Sequence, residues 1–168
     1  MTDRSLARLV LAATLALGPQ AHASTPTAVQ ASRAIQEVKV VTDELAAASQ
    51  RLDVDAATKD FLIDKDSLVV DSDGEIPDPK EFIEGLRAFY ASQSSLRFTT
   101  IRDEFRVLAP DLVQHVWCYK VEGTSKKGAR WTIDSETSSS LLRKIGGHWK
   151  FIFYHESAAP AKRLSDGN

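Results

Sequence analysis

The chain is short of cysteine, asparagine, long apolar runs and net charge, and each shortage closes a class of protein. A single cysteine, Cys118, cannot form an intramolecular disulfide, so no disulfide scaffold holds the fold. The one asparagine is Asn168, which leaves no glycosylation sequon. Lys and Arg number 21 against 23 Asp and Glu, a formal charge of −2 that gives no general grip on nucleic acid or anionic lipid. Six prolines and eight glycines exclude collagen-like repeats. What is present, 43% hydrophobic and 26% charged residues in a chain of 168, is the composition of one soluble globular domain.

The first residues form a unit of their own. Arg4 and Arg8 precede the apolar run Leu9 to Leu17, which is shorter than the roughly 20 residues a membrane-spanning helix needs. Gly18-Pro19 and then Ala21-His22-Ala23 follow, a helix break and a small-x-small cleavage pattern. The expectation is a secretory signal over residues 1–23, a periplasmic or secreted domain over 24–157, and a patternless, disordered tail over 158–168. Removing the signal takes Asp3, Arg4 and Arg8 with it and leaves 19 basic and 22 acidic residues in 145. A domain of that size buries roughly 70% of its unfolded surface, enough for a core without staples. No membrane attachment is expected after cleavage.

Along that domain the apolar positions Ala31, Ile35, Val38, Val41, Leu45, Ala48 and Leu52 step by three and four, the stripe of a long amphipathic helix. Asp53 and Asp55 can cap a short second helix through about Leu62, and Ser67 to Asp71 reads as a strand. Asp78-Pro79-Lys80-Glu81 places an N-cap, a first-turn proline and an N3 carboxylate in order, starting a third helix that runs to about Ser92. After Ser95 the period becomes two. Turn signals at Ala109-Pro110-Asp111, Gly123 to Gly128 and Gly146-Gly147 then divide the remainder into four strands of an antiparallel meander, Leu96–Leu108, Leu112–Glu122, Arg130–Arg143 and Trp149–Ser157. The first of these changes parity, which predicts a bulge near Thr99-Thr100. In the last, alternation puts Trp149, Phe151, Phe153 and His155 on the inner face and Lys150, Ile152, Tyr154 and Glu156 on the outer one.

This order of elements, the closing stretch Gly147-His148-Trp149-Lys150-Phe151-Ile152-Phe153-Tyr154-His155-Glu156-Ser157, and the acidic-apolar run Asp66 to Gly74 together resemble the nuclear transport factor 2-like superfamily, and within it the SnoaL-like bacterial branch. The resemblance spans about residues 28 to 157. It implies an α+β, cystatin-like fold, a cone-shaped curved antiparallel sheet wrapped around the long N-terminal helix with a pocket inside, and a homodimer formed through the outer sheet face. It does not imply a reaction, because this fold hosts isomerases, dehydratases, cyclases and non-catalytic binders.

Two residues are candidates for acid–base work. By the resemblance to ketosteroid isomerase-like members, Asp71 stands where a carboxylate removes a proton beside a carbonyl. The same alignment puts Ala47 and Ser139 where those enzymes have a tyrosine and a protonated carboxyl. Asp71 also reads simply as the first residue of an Asp/Gly turn. His155, on the inner parity, could exchange protons with an acid on the neighbouring strand, Asp134 or Glu136, or could be a satisfied core histidine. Tyr90, Trp117, Tyr119 and Trp131, with Glu136, could line a pocket for an apolar or ring-shaped molecule, or could be core. His115 has no partner at ligand spacing, so no metal and no cofactor is expected. Three functions stay open: a binder of a small, largely apolar molecule; a cofactor-free isomerase, dehydratase or cyclase; or a protein-interaction module using the outer sheet face around Ile152 and Tyr154.

Overall fold

The computed structural model describes residues 25–164, so the expected signal over 1–23 lies outside the described residues. Helix α1 (Ala28–Gln50) starts at Thr27, whose hydroxyl accepts from the Gln30 amide at 3.3 Å while Gln30 Oε1 accepts from the Thr27 amide at 2.9 Å. That reciprocal cap satisfies donors the first turn cannot pair internally. Helix α2 (Val54–Thr58) is capped by Asp53, and α3 (Pro79–Ser92) by Asp78 with Glu81 reaching back. The five-residue α2 is shorter than expected, whereas α3 has the expected bounds.

Strands β1 (Leu68–Val70), β2 (Gln93–Ala109), β3 (Leu112–Ser125), β4 (Arg130–Ile145) and β5 (His148–Ala158) lie in the order β1-β5-β4-β3-β2. The four long strands are the antiparallel meander read from the sequence, and β1 adds a parallel edge, pairing Val69 with Tyr154. The expected unstructured tail is partly a strand: β6 (Lys162–Arg163) pairs with β4 at Thr132 and Trp131. The reason is geometric. Pairing of β4 with β5 ends at Glu136, which leaves the edge of Arg130 to Ser135 open for the returning chain.

Five register shifts bend the sheet. β2 carries extra residues at Ser94, at Ile101 beside the predicted site, and at Leu108; β4 carries one between Ile133 and Glu136; and β5 carries one at Ile152, opposite the step from Leu141 to Leu142. Each raises local twist, and together they curl the sheet around α1. The core follows the cone. At one end Ala34, Val38, Val113, Leu142, Trp149 and Phe151 close on one another. At the other, Ala48 and Val54 pack behind Tyr90, Leu96, Trp117, Tyr119 and Val121, which line a cavity. Glu37 of α1 clasps the β4–β5 hairpin, accepting from the Trp149 indole at 2.9 Å and from Lys144 at 2.5 Å.

Candidate functional site

The wide end of the cone holds a cavity of about 600 Å³ between α1, α2, α3 and the concave sheet. Its size suits a ligand of one or two rings. The inward positions of β3 deliver Trp117, Tyr119 and Val121, every second residue from a strand buried on one face. Trp117 stacks on Tyr119 with ring centroids 3.9 Å apart, and Phe98 of β2 meets both at 5.7 and 5.5 Å. The Trp117 indole donates to Thr100 Oγ1 at 3.0 Å, and the Trp131 indole to Gln93 Oε1 at 3.0 Å. Tyr90 enters from α3, its hydroxyl against Ser49, and burial pushes it up to about 12.

Among these rings sit two carboxyl groups. Glu136 is directly opposite Tyr119 in the β3–β4 register, with the Tyr119 hydroxyl against its carboxyl. Burial first, and then the charge of Glu156, raise Glu136 from the ordinary 4.5 to about 7; Tyr119 offsets part of that rise. Glu156 accepts from the Tyr154 hydroxyl at 2.7 Å. Its own carboxyl is raised by burial, against the lowering effect of Tyr154, with a further rise from Asp71. Tyr119 and Tyr154 are both raised, chiefly by burial.

The cavity thus brings together five of the residues singled out from sequence, Tyr90, Trp117, Tyr119, Trp131 and Glu136, and Asp71 stands at its mouth. Asp71 Oδ1 accepts from the amides of Asp73 at 3.0 Å and Glu75 at 2.9 Å. It is a turn residue and a cavity-lining carboxylate at once.

His155 is not in this group. The extra residue at Ile152 inverts the parity of β5, so Tyr154 and Glu156 line the cavity while His155, paired with Ser139 and Val70, lies on the other face. The alternation expected for β5 is corrected from Ile152 onward, and Tyr154, at 7% exposure, is not an outer-face residue. Tyr154 and Glu156 are therefore the site residues that sequence reasoning missed. The only signal was the four apolar residues in a row, Phe151 to Tyr154, in which period-two patterning is invisible.

His115 has a hydrogen-bond partner that the sequence did not reveal. Its Nε2 lies 2.7 Å from Asp103 Oδ1 across the β2–β3 pair, with Phe105 stacked on the ring and Lys39 3.6 Å from Asp103 Oδ2. Burial lowers His115 in spite of Asp103. This pair, a buried His115 and a more exposed Asp103, lies outside the cavity lining.

No family model and no curated protein matches the sequence. Solved structures do match. Hexachlorocyclohexane dehydrochlorinase LinA-type3 from Novosphingobium barchaimii superposes with a TM-score of 0.69 at 9% identity, covering 83% of this chain and 96% of the other. A proposed dehydratase of the NTF2-like family from Streptomyces avermitilis gives 0.66 at 14%, covering 77% and 98%. A protein with a cystatin-like fold from Caulobacter vibrioides gives 0.63 at 14%, covering 76% and 91%. The chain shares the fold of these NTF2-like and cystatin-like structures. At these identities the likeness carries the fold and not the reaction.

Proposed function

We propose that the cavity binds a small, largely apolar, ring-bearing molecule and moves a proton on it without a cofactor. The observation that carries this reading is Glu136. A carboxyl near 7 in an aromatic-walled cavity is half protonated at neutral pH, poised to donate or accept. Protonated, it offers with Tyr119 a pair of hydrogen-bond donors to an oxygen that gains charge. The donors that the ketosteroid isomerase-like pattern places at Ala47 and Ser139 would here come from Tyr119 and Glu136.

The names of the structural neighbours, dehydrochlorinase and dehydratase, denote eliminations. Applied to this site, Asp71 takes a proton from a carbon beside a carbonyl, and the electron pair left behind becomes the new C=C bond. The adjacent C–O bond breaks, and the oxygen leaves as water with the Glu136 proton. Asp71 is left protonated and Glu136 ionised, and solvent exchange resets both. A suitable probe is the β-hydroxy ketone of acetone and benzaldehyde, whose loss of water creates a conjugated absorbance. Turnover should fall by roughly a hundredfold or more in Glu136→Gln, the usual weight of one acid–base group. Turnover of the probe by the wild type that is equal in this variant would remove the acid–base role and leave a binding protein.

We propose as well that the protein is exported and dimeric. The domain is periplasmic or secreted after loss of residues 1–23. It pairs with a second copy through the outer sheet face, where half-buried Val116, Leu141, Ile152 and Phe153 are apolar. Sedimentation of residues 24–168 as a monomer at micromolar concentration would dispose of the dimer.

A further inference from the structure

The polar groups lining the cavity carry charge of one sign only. Asp71, Asp73 and Glu81 stand around the α3 side, and Glu136 and Glu156 sit within; no lysine, arginine or histidine lines it among the described residues. The nearby cations are committed elsewhere: Lys162 to Asp134, Arg87 to Asp55, Lys59 to Glu44 and Lys120 to Glu122. This arrangement repels an anion, and two acid–base groups on a neutral ligand need only Asp71 and Glu136; the remaining carboxylates cost solvation and repel one another unless a cation offsets them.

The rings point the same way. The indole N–H groups of Trp117 and Trp131 are bound to Thr100 and Gln93, so both indoles meet the cavity with carbon and π surface instead of a donor. Tyr154 gives its hydroxyl hydrogen to Glu156. Aromatic faces with carboxylates behind them attract organic cations through the ring quadrupole and through charge, at little cost in hydration when the cation is bulky.

We infer that the ligand of this cavity is an organic cation, a ring or branched hydrocarbon carrying an amine or quaternary ammonium group, seated among Trp117, Tyr119 and Trp131 with Glu136 and Glu156 as its counter-charge. The inference rests on the reading of the cavity as a ligand site and adds the sign of the ligand's charge.

Phenyltrimethylammonium and tert-butylbenzene test it, since they share a shape and differ by one charge. The change in tryptophan fluorescence of the full domain reports binding, because two of its three tryptophans line the cavity. The cation should bind at least tenfold more tightly than the hydrocarbon at pH 8. The probe itself does not titrate, so its affinity should rise roughly tenfold from pH 6 to pH 8 as Glu136 ionises. Facing Glu136 are Tyr119 of β3, Tyr154 and Glu156 of β5 and Tyr90 of α3, and Asp71 faces Glu156; Glu156, itself raised by burial, acts in the same direction as Glu136. Glu136→Gln and Glu156→Gln should each cut the preference for the cation, with the hydrocarbon's affinity kept as the control for folding. Equal or tighter binding of tert-butylbenzene overturns the inference and leaves the neutral-ligand reading standing. Binding of neither overturns both.

Discussion

At the scale of single residues, two glutamates of the same intrinsic acidity are driven in opposite directions by where the fold puts them. Glu37 lies between Lys144, the Trp149 indole and Arg33, and these hydrogen bonds lower it from 4.5 to about 2. A lowered acid stabilises the fold at every pH above its unfolded value, and the contribution is lost as pH falls from about 4.5 to 2. Because Glu37 is partly solvated, Glu37→Gln should cost on the order of 1 kcal/mol at pH 7 and almost nothing at pH 2, read by urea denaturation at both. Glu136 runs the other way. Its stability contribution is whole below 4.5 and drains away as pH rises through 7, since the folded state must then hold a buried charge. Glu136→Gln should therefore match wild type at pH 4.5 and exceed it by about 2 kcal/mol at pH 8, seen as a melting temperature several degrees higher. A variant no more stable than wild type at pH 8 would show that Glu136 is not paying for burial.

At the scale of elements, the site depends on how strands are offset. Gly123 of β3 faces Trp131 of β4, and a Cβ there would lie 2.2 Å from the indole ring, closer than any real contact. Gly123→Ala should push Trp131 off Gln93 and into the cavity. The expected cost is roughly 2 kcal/mol in stability, together with loss of phenyltrimethylammonium and tert-butylbenzene binding, measured by denaturation and by fluorescence titration. The β5 bulge has the larger consequence. One inserted residue exchanges His155 for Glu156 at the cavity wall, and removing Ile152 should restore strict alternation at the expense of Val69–Tyr154 pairing and of the fold. The β2 bulge at Ile101 was legible because polar and apolar residues alternate visibly on both sides of Thr100, whereas the extra residues Ser94 and Leu108 at the strand ends were not. The bulge of β5 was not, because Phe151 to Tyr154 are all apolar.

At the scale of the whole molecule, the cone leaves its wide end open and the chain returns to it. Ala158 and Ala161 line the cavity, and β6 covers the exposed edge of β4 beside Trp131 with only two paired residues. Ending the chain at Ala158 should leave the core folded, speed amide exchange at Thr132, which faces β6, but not at Trp131, which faces β3, and shorten the residence time of any bound probe; unchanged exchange at Thr132 would mean that β6 does not protect the edge. The sequence by itself determined the order of elements, the helix caps at Asp53 and Asp78, the meander and hence the fold, because capping, periodicity and turn chemistry act between residues close in the chain. It also marked Tyr90 on the apolar face of a helix and Trp117 and Tyr119 on alternating inward positions of β3, and it named Trp131 and Glu136, which have opposite parity and reach the same cavity only through the bulge of β4. Only the tertiary structure decided that Glu156 and not His155 faces them, that Asp103 reaches His115 and that the tail pairs with β4. Those outcomes follow from strand register and the space left between distant segments, which no local pattern records.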